Sequence, residues 1–272
     1  MQTRNPVLNR EFGNQQYATF REGPPPGTAT TSQMAEPTAG ARMTIDDVVV
    51  KTGILFVILL VGSLGGWYVV TRAPVVVWIT AIAAFVIGMV VSLGRSTNPA
   101  LVMLYAALEG VFLGGISAWY AAYAAAGHSV RGDHSNIVLQ AVTGTFVAFG
   151  IMLLLYKSGR LRATPKFQKM FIGALISYLV IAFASVLFAV FGHVGNGWGF
   201  YGVGPIGLLL CAVGVGLACF SLVLDFDLIE QGVRAGLPER ESWRGAFGLM
   251  VTLVWLYLEL LRLLAILNSS NR

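Results

Sequence analysis

Residues 221–267 read SLVLDFDLIEQGVRAGLPERESWRGAFGLMVTLVWLYLELLRLLAIL. Two apolar runs flank a charged connector, and each carries acid where hydrocarbon is expected, Asp225 and Asp227 in the first and Glu259 in the second. A carboxylate at the centre of a membrane-spanning helix costs roughly 2.5–3.5 kcal/mol, so acids in such runs mark function by default.

The rest of the chain shows that these runs are membrane spans. Of 272 residues, 56% are hydrophobic and 11% charged, and the mean hydropathy is +0.72. Such values place the chain among polytopic membrane proteins. Apolar runs of about 18 residues or more recur, each long enough to cross a hydrocarbon core of about 30 Å as a helix. The alternating pattern of a membrane β-barrel is absent. The net charge of +5 sits mostly between the apolar runs, without a basic face interleaved with aromatics, so no nucleic-acid partner is expected. Cys211 and Cys219 fall in one run, where they cannot bridge and read as packing residues.

Residues 1–43 are polar, with a Gly-Pro-Pro-Pro-Gly stretch at 23–27, and read as a disordered tail ahead of a transmembrane domain over 44–272. Thr44-Ile-Asp-Asp47 looks like a helix start, a hydroxyl cap followed by acids in the first turn. Spans are expected over about 53–70, 75–93, 100–126, 137–156, 170–191, 204–229 and 246–267. The fold class is therefore all-α, with seven transmembrane helices. Gly62 and Gly66 in the first span, and Gly110 and Gly114 in the third, are spaced for close helix packing; ordinary packing is expected rather than a dimer face. His128, Arg131, Asp133 and His134 read as a solvated loop, and the glycine- and aromatic-rich loop 192–202 suits a membrane interface. With the N-terminus cytoplasmic, the inner connectors hold Arg95, the basic run 157–169, and Arg234, Arg240 and Arg244, an excess that favours this orientation. Arginines outnumber lysines and the spans are rich in Ala, Val and Gly, which points to a bacterial inner membrane, with an internal eukaryotic membrane as the weaker option.

Glu109, Asp225, Asp227 and Glu259 are the candidate functional acids, with arginines able to pair with them. Asp225 and Asp227 point about 200° apart on a helix, so only one faces the bundle interior; Asp227 and Glu230 are read as solvated. Glu259 could pair with Arg262 one turn later or with a neighbouring helix. Glu259 lies about 20 Å along span seven from Ala246, whereas Asp225 is near the inner end of span six. The two could meet if span seven begins in a water-filled cytoplasmic vestibule and span six is set deeper than its ends suggest.

Leu224-Asp-Phe-Asp-Leu-Ile229 resembles the sixth-helix tyrosine-aspartate-threonine-glutamine signature of the Bax inhibitor family, the transmembrane Bax inhibitor motif proteins with their bacterial calcium-leak members. Leu256-Tyr-Leu-Glu-Leu-Leu261 resembles that family's last-helix leucine-tyrosine-leucine-aspartate run, and Ala107-Leu-Glu-Gly110 its third-helix phenylalanine-leucine-glutamate-glycine motif. The resemblance covers about residues 50–267. It implies a seven-helix fold with the last helix at the centre, and a proton-sharing acid pair, Asp225 and Glu259, that closes a calcium pathway. Arg95 falls near the family's latching arginine. Here Leu224 replaces the signature tyrosine, the last-helix acid is Glu259 and Arg262 follows it.

Two carboxylates within a hydrogen bond in low dielectric cannot both stay charged, and they titrate as a unit. The expected function is thus a pH-sensitive cation leak, with calcium or protons as the permeant or regulatory ions. The alternative is a regulatory protein that binds a membrane protease or another membrane complex. An intramembrane aspartyl protease is disfavoured because its glycine-rich aspartate motif is missing. No nucleophilic triad or nucleotide loop stands out, so neither an enzyme nor a cofactor is expected.

Overall fold

The computed structural model describes residues 41–126, 136–161, 164–190 and 204–270. The expected tail up to residue 40, the polar loop with His128, Arg131, Asp133 and His134, Arg162, and the loop 192–202 lie outside the described residues. Seven helices follow one another: α1 (Ile45–Val70), α2 (Val75–Leu93), α3 (Pro99–Ala126), α4 (Asn136–Lys157), α5 (Pro165–Val190), α6 (Pro205–Arg234) and α7 (Glu241–Ser270). Each is long and apolar enough to cross a membrane, because hydrocarbon offers a backbone no partners outside the helix itself.

Helix starts follow local chemistry. Thr44 caps α1 in a reciprocal box with Asp47, whose amide donates to the Thr44 hydroxyl at 3.1 Å. Asn98 accepts from the Ala100 amide at 3.0 Å, with Pro99 opening α3, and Thr164 accepts from the Phe167 amide at 3.3 Å ahead of α5. Four helices outrun the apolar runs expected from hydropathy, α1 among them by beginning at Ile45. α5 begins at Pro165, α6 continues to Arg234 and α7 begins at Glu241. Hydropathy marks the hydrocarbon, whereas a helix continues into water wherever its polar residues pair along it. Gln231 donates to Asp227 at 2.6 Å and Arg234 pairs with Glu230 at 2.5 Å on that extension of α6.

The last helix lies at the centre. α7 packs on α1, α3, α4 and α6, and 56% of its apolar window is buried against 11% for α5. Met250, Leu256 and Leu261 are fully enclosed. α2 lies against α1 and α3.

The tightest seam joins α1 to α3. A methyl group added at Gly114 would stand 1.9 Å from the Ser63 carbonyl oxygen, at Gly66 2.0 Å from that of Val111, at Gly110 2.3 Å from that of Leu59 and at Gly62 2.7 Å from that of Ala107. Both glycine pairs therefore serve packing within the chain, letting two backbones touch where any side chain would hold them apart.

At the end where α1 begins, residues 41–43 run antiparallel to the α6–α7 connector. The Met43 amide donates to Leu237 O and the Glu239 amide to Ala41 O, each at 2.8 Å. The Met43 side chain fills a slot beside Gly232 and Gly245. Lys51, buried on α1, reaches Glu239 Oε1 at 3.0 Å and its carbonyl at 3.3 Å, and lies 5.6 Å from the centre of the Trp243 ring. Arg95, Lys157, Arg160, Lys166, Lys169, Arg240 and Arg244 share this end, while Arg72 follows α1 at the other.

Replacing Gly114 with Val is expected to lower stability by about 1–3 kcal/mol or more, read as an earlier thermal unfolding midpoint in detergent. Gly53→Val is the control, since a side chain there would meet nothing within 4 Å; equal midpoints for the two variants would contradict the seam.

Candidate functional site

One face of α7 carries Gly248, Thr252, Trp255, Glu259 and Arg262 at alternating steps of four and three, the spacing that aligns side chains on a helix. Gly214, Ala218, Ser221 and Asp225 are aligned in the same way on α6. The two principal acids both belong to the seam between these helices. They occupy different depths along it.

Asp225 is level with the beginning of α7. Its Oδ2 accepts from the Thr252 hydroxyl at 2.6 Å, and its Oδ1 lies against Gly248. It lines a cavity of about 540 Å³ at the inner end of the seam, the end where α1 begins, together with Ser92 of α2, Met43, and the Glu241–Arg244 ion pair at 3.7 Å. Glu259, by contrast, is buried against α5 and the first half of α6. Its Oε1 accepts from the Tyr178 hydroxyl, and from the Trp255 indole at 3.2 Å. Its Oε2 has no hydrogen-bond partner and packs on Gly214, where an added methyl group would stand 2.9 Å from it and 2.5 Å from the Tyr178 oxygen. Glu259 lines a second cavity, of about 590 Å³, with Arg262, Trp78, Trp119 and Tyr120, beside the α1–α2 turn.

The pair expected from the resemblance is therefore not formed. Asp225 lies about nine residues before the end of α6 and Glu259 about eighteen after the start of α7, so a tight antiparallel hairpin leaves them roughly 13 Å apart along the bundle axis at 1.5 Å per residue. A calcium ion cannot be held by both at once in this arrangement, since oxygen ligands lie about 2.3–2.6 Å from it. Between the two cavities Ala218, Leu222 and Leu256 are fully buried. Among the described residues no group of three His, Cys, Asp or Glu side chains is placed to hold a metal.

The accessory candidates divide. Glu109 is buried beside the Tyr105 hydroxyl of its own helix, and Tyr105 meets Phe247 edge-on at 5.1 Å. Asp227 and Glu230 lie on the water-side extension of α6; Glu230 takes the Tyr156 hydroxyl of α4 as well as Arg234. Arg95 is exposed on the α2–α3 turn with φ 47° and, among the described residues, joins none of the ion pairs. It is thus not a latch on the acids here. Arg262 shares the outer cavity with Glu259.

Sequence reasoning passed over Tyr178, Thr252, Gly214 and Lys51. Each has a polar or minimal side chain inside or at the edge of an apolar run, a signal too common to single out without knowing which helix faces which.

With this geometry in view, the comparisons take their place. A family model described as Bax inhibitor 1 like matches residues 5–269, a range that takes in most of the N-terminal segment left outside the motif resemblance. No curated protein matches the chain.

The geometry sets two couplings apart. In double-mutant cycles, Tyr178→Phe and Glu259→Gln are expected to couple by about 0.5–3 kcal/mol, whereas Asp225→Asn and Glu259→Gln should add to within about 0.5 kcal/mol. Unfolding free energies in detergent measure both, and strong coupling between positions 225 and 259 would restore the shared pair.

Proposed function

The chain belongs to the Bax inhibitor 1 like family, and from that membership and the placement of its acids we propose that this multi-pass membrane protein is a pH-sensitive cation leak, with calcium the foremost permeant ion. The observation that carries the proposal is a pair of acid-lined cavities at different depths along α7, one around Asp225 between α6 and α7 and the other around Glu259 between α7, α2 and α3, with apolar packing between them.

A charged carboxylate at the mouth of a low-dielectric cavity concentrates cations. Asp225 acts so at the inner mouth and Glu259 at the outer. The outer cavity also carries Arg262, so protonating Glu259 leaves it net positive and repels cations. Acidification therefore closes this path by removing attraction at both ends. Passage requires α7 to shift against its neighbours so that the buried Leu222 and Leu256 no longer separate the two cavities, and the arrangement described is the closed one. The basic end of the bundle faces the cytoplasm under the positive-inside rule, which sets Asp225 on the cytoplasmic side of the seam. The composition favours a bacterial inner membrane.

Asp225→Asn and Glu259→Gln are near-isosteric and keep an oxygen for Thr252 and Tyr178. In proteoliposomes loaded with a calcium indicator, each variant is expected to lower calcium uptake severalfold. Uptake by the unaltered chain should fall as pH falls, and the double variant should flatten that dependence. Unchanged uptake in both variants would sink the leak and leave the reading as a regulator of another membrane complex.

A further inference from the structure

A third cavity, of about 210 Å³, lies in the half of the bundle that holds the end of α1. It sits between α1 and α4, floored by Leu253, Val254 and Tyr257 of α7 and by Leu113 and Ser117 of α3. Among the described residues α1 and α4 do not pack backbone to backbone, and Phe56 and Phe146 meet across the gap at 5.8 Å. The opening is rimmed by Leu60, Leu64 and Phe146, which are 48%, 74% and 50% exposed. All three are part of the surface that α1 and α4 turn toward lipid.

Its volume would admit about seven waters at ~30 Å³ each, but a water needs two to four polar partners. The hydroxyls that line it already spend their protons on the protein. Ser117 lies 2.6 Å from the Tyr257 hydroxyl and donates to Leu113 O, Thr145 donates to Ala141 O at 2.8 Å, and Ser63 to Leu60 O at 2.8 Å. The Trp67 indole stands at the exposed rim. An apolar cavity of this kind stays dry and takes hydrocarbon. The phase that meets its opening, at that depth, is the acyl region of the bilayer.

We propose that this groove is a binding site for one acyl chain of a bilayer phospholipid, which inserts between α1 and α4 and rests on α7. Lipid in the surrounding annulus touches exposed residues; a chain seated here also touches residues that the annulus cannot reach. Leu253 and Val254 are 3% and 7% exposed, yet they form the floor. Because Tyr257 is two positions from Glu259, the inserted chain buttresses the helix that carries the outer acid, independently of whether the seam conducts.

The test reconstitutes the full chain in nanodiscs containing a phospholipid with a diazirine midway along one acyl chain, followed by photolysis and peptide mapping. Adducts are expected on Leu253, Val254 or Tyr257 of α7 in addition to the exposed Leu64 and Phe146. Val142→Trp, which fills the groove from α4, should reduce the α7 adducts at least tenfold and leave those on Leu64. Adducts confined to exposed residues would overturn the site, as would α7 adducts indifferent to Val142→Trp. Should Val142→Trp fail to fold, the map of the unaltered chain still decides, since the floor is either labelled or not.

Discussion

A carboxyl group inside a membrane bundle must find its hydrogen-bond partners within the bundle, because lipid supplies none. That requirement organises the interior of this protein. Asp225 takes the Thr252 hydroxyl, Glu259 takes Tyr178 and Trp255, and Glu109 has Tyr105 at its side. Two of the three acids are tied to α7 or carried by it. α7 therefore holds the centre both by its apolar residues and as the helix through which the polar groups are satisfied.

The centre is available to α7 because α1 and α3 take up so little room. Where Gly62, Gly66, Gly110 and Gly114 let the two backbones touch, the pair presents a narrow wall. The same economy recurs at Gly214, which seats the Glu259 carboxyl, and at Gly232 and Gly245, which seat Met43. Small residues thus mark each place where a second element must come close. In lipid, where apolar surface gains nothing by leaving one hydrocarbon for another, such close packing and polar contact hold helices together.

Placing the acids at opposite ends of one seam changes what proton binding can do. A shared pair would act as a single switch whose two titration steps belong to the pair. In the proposed leak, two separated acids would act locally, each on the charge of its own cavity, with the apolar layer between as the barrier. In the proposed leak Arg262 makes the two cavities respond differently, since loss of the Glu259 charge takes that pair from neutral to positive.

Composition and pattern by themselves determined seven spans, the capped start at Thr44 and the packing role of the glycine pairs, and the motif resemblance pointed to the family. These follow from local rules: hydropathy selects residues that lie in lipid, and helical periodicity selects the side they face. Tertiary structure alone decided the depth of Asp225 relative to Glu259. Hydropathy is nearly unchanged when one apolar helix slides a turn or two along another, so it cannot set that register. The register comes from where α6 and α7 end, and those ends lie in polar extensions beyond the apolar runs, held by Glu230–Arg234, by Lys51–Glu239 and by residues 41–43. A contact between distant parts of the chain, such as Lys51 with Glu239, fixes a distance that neither residue's neighbours in sequence express.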